Sequence, residues 1–317
     1  MTEATPRRID VHHHFFAPEY VTAIGPALIN QKVVTDWSPA WAIEDMDKGG
    51  VATSITSVTT PGVWVGDAAK SARLARICNE YAAQLARDYP GRYGFWAALP
   101  LPDADGSLRE LEYALDVLKA DGIGLITSYV DKWLGDPAFD PVFDELNRRG
   151  AVVYTHPTAA ACCSGLVPDI ADAIIEFGTD TTRAIARWLF SGSATRYPNI
   201  RMIFSHGGGT MPFLYERFLR ASAAPALAAR LPNGILSEIQ RFYYDTAQAS
   251  NEMTLASFTR LIPISQILFG TDAPYRQARE YPPMLAEWGF SAADLRAIEY
   301  ENALALVPRL RQVVAGS

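Results

Sequence analysis

Eight short runs rich in β-branched and aromatic residues recur along the chain, at 8–12, 51–58, 93–99, 122–128, 151–156, 200–206, 242–247 and 267–271. Most are followed by a longer stretch of helical period, for example at 68–89, 107–120, 137–149, 181–197 and 212–229. Strands separated by helices pair in parallel, because a parallel partner is reached only through a long crossover. Eight such units in 317 residues predict an α/β fold, a (β/α)8 TIM-like barrel, as a single domain over 1–317. Two segments are longer than ordinary connections. Residues 15–41, with Pro18, Gly25, Pro26 and Pro39, and residues 157–176 predict loop insertions after strands 1 and 5. Both follow strands, so both belong at the C-terminal face, where barrel enzymes place their sites.

All five histidines fall at strand ends on that face. Three of them are consecutive, in IDVHHHFF, and strand side chains alternate, so His12 and His14 share a face while His13 looks away. His156 in YTHP ends the fifth strand, His206 in FSHGGG the sixth, and Asp272 in FGTDAPY the eighth. Closure makes the first and eighth strands neighbours, which brings Asp272 towards His12 and His14. Imidazole and carboxylate suit zinc or manganese, and a catalytic ion keeps a coordination position open. His12, His14, His156 and Asp272 are candidate ligands. His206 is left beside them as a candidate proton carrier, since imidazole titrates near neutrality.

Charge excludes other classes. A net charge of -7 and a pI near 5.3 oppose binding to nucleic-acid phosphates. No signal-peptide core or membrane-length apolar run is visible, so the expected setting is the cytoplasm. Cys78, Cys162 and Cys163 lack metal-knuckle spacing and are expected to pack. Gly207, Gly208 and Gly209 lack dinucleotide-loop spacing and read as close backbone packing after His206.

The D-x-H-x-H start, the later H-P, the H-G-G-G and the terminal G-T-D resemble the amidohydrolase superfamily, in order, from Asp10 to about Asn302. The resemblance is to the branch containing aminocarboxymuconate-semialdehyde decarboxylase and related aromatic decarboxylases. It implies a barrel with one divalent metal, zinc or else manganese, held by His12, His14, His156 and Asp272, with His206 as the catalytic histidine. Thr127 and Ser128 stand where two-metal relatives carry a bridging lysine, so a single ion is expected. Gly209 stands where some members carry a relay Glu, and Ala42 where the muconate-semialdehyde enzymes carry an arginine. Arg217 matches a second arginine of those enzymes, and its bland alternative is a surface salt bridge. WSPAWAIEDMDKGGVATSITSVTTPGVW, FGTDTTRAIARWLFSG and FSHGGGTMPFL look most like 6-methylsalicylate decarboxylase-type members.

The resemblance implies non-oxidative decarboxylation of a small salicylate-like carboxylic acid. The acid would chelate the metal and take a proton, from His206 or Asp272, at the ring carbon bearing the carboxylate. An apolar slot would hold the ring, and Phe15, Phe16, Trp64, Tyr129, Trp133 and Tyr275 all follow strands. A metal-bound water attacking a lactone or amide, or a hydratase, is the alternative. Members of such families are commonly homodimers.

Overall fold

The computed structural model describes residues 7–311. Its sheet contains eight parallel strands in the order β1 (Arg8–His14), β2 (Val51–Ser57), β3 (Tyr93–Ala98), β4 (Gly122–Ile126), β5 (Val152–His156), β6 (Arg201–Phe204), β7 (Tyr243–Asp245) and β8 (Ile267–Leu268). The sheet curls round until the chain beyond β8 meets β1. There the Val11 amide donates to the Phe269 carbonyl at 3.0 Å, the Asp272 amide to the His12 carbonyl at 2.8 Å, and the His14 amide to the Ala273 carbonyl at 2.7 Å. The expected barrel is therefore present. Each strand is covered on both faces, which is why the runs read as nearly continuous apolar stretches. Within the barrel, Ile9, Val11, Ile55, Trp96, Tyr154, Ile203 and Leu268 form one buried cluster, and Leu306, Val307 and Leu310 pack onto it.

The last three strands are shorter than their apolar runs, for reasons that matter at the rim. After β6 the chain turns at once, with His206 in the left-handed region at φ 54°. After β7 the Asp245 carboxylate, rather than a ladder carbonyl, takes the amides of His206 and Ala247 at 2.9 and 3.0 Å. After β8, Gly270 has no room for a side chain, since a Cβ would lie 2.9 Å from His12 Cβ and 3.0 Å from Asp245 Cβ.

The connections carry helices α1 (Pro39–Lys48), α2 (Ala68–Asp88), α3 (Ala104–Glu112), α4 (Asp140–Arg149), α5 (Asp172–Phe190), α6 (Met211–Ser222) and α7 (Glu252–Leu261), with Tyr281–Glu287 and Asn302–Leu306 after β8. Between β1 and α1 lie three short helical pieces, Pro18–Ile24, Pro26–Ile29 and Lys32–Thr35. The helix expected at 181–197 instead spans Asp172–Phe190, so the irregular segment after β5 ends at residue 171. Asp172 draws that segment closed by accepting from the Ser164 hydroxyl at 2.6 Å and the Gly165 amide at 2.8 Å. The first half of α5 hid from periodicity because Ile174 and Ile175 are exposed. A short antiparallel ribbon, Ser128–Tyr129 with Lys132–Trp133, extends β4 beyond the barrel rim.

Candidate active site

The register of β1 against β2 slips between Asp10 and His13, where Asp10 Oδ1 accepts the His12 amide at 3.0 Å. Such a bulge re-aims side chains. His12, His156, His206 and Asp272 each present one nitrogen or oxygen, all within 4.8 Å of one another. His14 adjoins them, with Nε2 3.1 Å from Asp272 Oδ1 and its ring 4.7 Å from that of His156. The Asp272 carboxylate stands in the middle. Its Oδ1 faces His12 Nε2 at 3.3 Å and His14, and its Oδ2 faces His206 Nε2 at 3.5 Å. His13 lies outside this group, buried, with Nδ1 3.2 Å from Asp10 Oδ2.

Three of the four gathered imidazoles are tethered from behind. His12 Nδ1 contacts Asp245 Oδ2 at 2.8 Å, His14 Nδ1 the Ser57 carbonyl at 3.3 Å, and His156 Nδ1 the Pro157 carbonyl at 2.8 Å. Acceptors at Nδ1 place the proton there and leave Nε2 as a lone pair, the arrangement that metal-ligating histidines use. The His206 ring has no such tether among the described residues, although its backbone amide is held by Asp245. Nε2 of His12 and of His206 are buried without a hydrogen-bond partner. Converging lone pairs and a carboxylate repel one another until a cation lies between them, so this donor set fits a borderline divalent ion.

The protonation tendencies point the same way. Burial works against a charged His12, but the flanking carboxylates of Asp245 and Asp272 outweigh it and hold the imidazole at about 10. Burial lowers His14, against the pull of Asp272, and burial with the charges of His14 and His12 drives His156 far down. Asp272 is well below the carboxylate range: burial opposes ionisation, and the charge on His12 together with hydrogen bonds from His12, His14 and His206 more than offsets it. In the protein alone one imidazolium, His12, offsets part of the negative charge at this rim. A divalent ion would displace that proton.

Sequence reasoning passed over several members of this constellation. Asp245 is fully buried and links three elements, through the His12 ring and the amides of His206 and Ala247. Asp10 Oδ1 accepts the Thr271 amide at 3.1 Å and its Oδ2 the Thr271 hydroxyl at 2.6 Å, clamping β1 to the segment that carries Asp272. Gln248 donates to Asp272 Oδ2. Phe177 on α5 lies 5.9 Å from the His156 ring. The available signal for Asp245 was the one used for Asp272, a carboxylate at the end of a barrel strand. Asp245→Asn removes the acceptor behind His12 while keeping its shape, and is expected to weaken metal affinity by roughly 10- to 100-fold in a chelator competition. Affinity within twofold of the parent protein would show that the tether has no such role.

The residues named from sequence as substrate contacts are distributed unevenly. Tyr275 lies beside the cluster, its ring 5.9 Å from that of His14. Trp64 and Tyr129 line a cavity of about 140 Å³ with Ile126, Thr158 and Ala160, next to the strand end that carries His156. The Tyr129 hydroxyl accepts the Ile126 amide at 2.9 Å. Phe15 is buried and stacks on Tyr81 of α2 at 5.9 Å, whereas Phe16 reaches the Tyr275 ring at 6.4 Å. Trp133 Nε1 and the Thr127 and Ser128 hydroxyls donate to Asp180. Arg217 is exposed on α6 and forms no ion pair among the described residues. Gly209 packs onto α5 so closely that a Cβ would lie 2.1 Å from the Gly178 carbonyl oxygen, in keeping with the packing role expected for the triple glycine.

A parallel barrel with histidines and a carboxylate gathered on its C-terminal rim defines a class of barrel enzymes. The chain belongs to the amidohydrolase family, whose model matches residues 9–309. It is 35% identical over 322 residues to the 6-methylsalicylic acid decarboxylase of Penicillium expansum, covering 97% of this chain and 98% of that one. It is 36% identical over 328 residues to a 6-methylsalicylic acid decarboxylase of Aspergillus aculeatus, covering 97% and 98%. Its fold matches the crystal structure of a dihydroxybenzoic acid decarboxylase from Polaromonas sp. JS666 with bound manganese and the inhibitor 2-nitroresorcinol, with TM-score 0.78, 23% identity, and coverage of 95% and 97%.

Proposed function

We propose that the chain is a metal-dependent, non-oxidative decarboxylase of an ortho-hydroxybenzoate such as 6-methylsalicylate. One observation carries the division of labour: three imidazoles are tethered at Nδ1, two of them with Nε2 against Asp272 and the third, His156, among the gathered donors, and a fourth, His206, stands beside them with an untethered ring. His12, His14, His156 and Asp272 are assigned as the ligand set. One divalent ion held there supplies Lewis-acid charge that orients the acid and offsets the negative charge of its oxygens. Zinc is the assigned metal, supported by the imidazole-rich donor set, and the manganese of the Polaromonas structure makes manganese the competitor.

His206 is assigned the proton. Delivered to the ring carbon that bears the carboxylate, it makes that carbon tetrahedral. The electron pair of the breaking carbon–carbon bond then returns to the ring as carbon dioxide leaves, so hydrogen replaces the carboxylate and no oxidant is consumed. Asp272 Oδ2, 3.5 Å from His206 Nε2, faces the imidazolium and stabilises it. Tyr275, Trp64 and Tyr129 are retained as walls for the ring. Phe15 and Arg217 are left out, the first by its stacking on Tyr81 and the second by its exposure.

No helix among the described residues is long and apolar enough to cross a membrane. A cytoplasmic setting belongs to the same proposal, supported by three unpaired thiols. So does a homodimer, supported by the exposed apolar side chains of Ile174 on α5 and Phe213 on α6.

The test is carbon dioxide release from a panel of ortho-hydroxybenzoates, benzoates lacking that hydroxyl, and acyclic dienoic acids. Turnover is expected for the ortho-hydroxy acids alone. Silence across the panel from metal-loaded protein, with cleavage of a lactone or amide instead, would replace this reading with hydrolysis.

A further inference from the structure

Three non-glycine residues at the ends of β6, β7 and the β8 segment hold left-handed backbone: His206 at φ 54°, Gln248 at φ 51° and Asp272 at φ 62°. L-residues avoid that region, and an isolated case is a mark of local constraint. Here the constraint has a common target. The side chains of His206 and Gln248 both meet Asp272, on the same oxygen, Oδ2. His12 and His14 meet the other oxygen, Oδ1.

Gln248 is itself anchored. Its backbone N–H donates to no strand carbonyl and instead to the hydroxyl oxygen of Tyr281, at 3.1 Å, from the helix Tyr281–Glu287. Tyr281 is 2% exposed. Two residues earlier, Thr246 ties the β7 end to the β8 end, its amide donating to the Leu268 carbonyl at 3.0 Å and its hydroxyl accepting the Gly270 amide at 3.1 Å. The Gln248 amide group therefore reaches Asp272 from a rigid base.

A carboxylate can turn about its last bond and exchange its oxygens. Gln248 removes that freedom, because a neutral N–H donor takes Oδ2 on the side away from His12 and His14. We propose that Gln248 is a positioning residue that locks the Asp272 carboxylate, committing one oxygen to the metal-ligand side and the other to His206. A neutral amide does this without adding charge, where a lysine or arginine would compete with the metal for the same carboxylate and a glutamate would repel it. The proposal rests on the ligand and proton roles assigned above.

The experiment compares the parent protein with Gln248→Leu, which keeps bulk and loses the donor, and Gln248→Glu, which replaces donor with acceptor. Gln248→Gly is the variant that keeps the test usable if the others fold poorly, since glycine takes φ 51° without strain. Zinc and manganese affinity are read by chelator competition, and kcat and KM by carbon dioxide release from 6-methylsalicylate. Losses of roughly 10- to 100-fold in metal affinity or kcat, with KM within about threefold, are expected for Leu and Gly, and a larger loss for Glu. Leu and Glu variants equal to each other, or affinity and kcat within twofold of the parent, would overturn the lock. If the parent binds metal and releases no carbon dioxide, the decarboxylase reading fails by itself. The affinity series then still decides whether Gln248 orients Asp272.

Discussion

Replacing His12 with alanine is expected to strip the metal and the activity together. His12 is fully buried, its Nδ1 is fixed by Asp245, and its Nε2 lies 3.3 Å from Asp272 Oδ1 with no hydrogen-bond partner of its own. Removing it takes away a ligand rather than a ligand's support, so the loss of affinity should exceed the roughly 10- to 100-fold typical of outer-shell partners. It also leaves Asp245 Oδ2 without its buried partner. Losing a hydrogen bond to a buried charged group costs about 1–3 kcal/mol, although the two amides that Asp245 accepts keep it hydrogen-bonded. Elemental analysis after gel filtration, beside a melting curve, separates the two effects. Full metal occupancy in a folded His12→Ala protein would refute the ligand assignment.

The second large effect is expected to be of the opposite kind. Substituting His206 should leave the metal in place and remove most turnover, by about 10²- to 10⁴-fold, the usual contribution of a positioned acid or base. The choice of replacement matters because His206 sits at φ 54°. Alanine there would be strained by about 1 kcal/mol, whereas asparagine tolerates the left-handed region. His206→Asn is therefore the informative variant, with one metal per chain and kcat reduced. Turnover within tenfold of the parent would move the proton to another group. Loss of the metal would make His206 a ligand, and His14 would then be the imidazole without that role.

The contrast between these two variants rests on a distinction the sequence did not carry. All five histidines could be placed at strand ends from the β-branched and aromatic runs alone, and the barrel closure that brings Asp272 to His12 follows from counting eight units. What separates His206 from His12, His14 and His156 is the partner behind each ring, and those partners are a distant aspartate and two backbone carbonyls. Backbone carbonyls have no sequence signature. Asp245 was legible in principle, as a carboxylate at a strand end, but lay in a run, YYDTAQ, without a histidine to draw the eye. Gln248 was not legible, because its reach depends on a left-handed turn that glutamine does not advertise. The early start of α5 was hidden for a simpler reason: its first turns leave Ile174 and Ile175 exposed, so apolar period and burial disagree. Phe15 shows the limit of arguing from strand order, since a residue that follows a strand end can turn outward onto a helix, as it does onto Tyr81.

The most direct measurement is reconstitution. Metal-free protein would be titrated with zinc, and separately with manganese, while carbon dioxide release from 6-methylsalicylate is followed. The proposed site requires no release before metal is added and a rise that saturates at one equivalent per chain. Release from the metal-free protein, or saturation only at two equivalents, would contradict a single-ion decarboxylase built on His12, His14, His156 and Asp272.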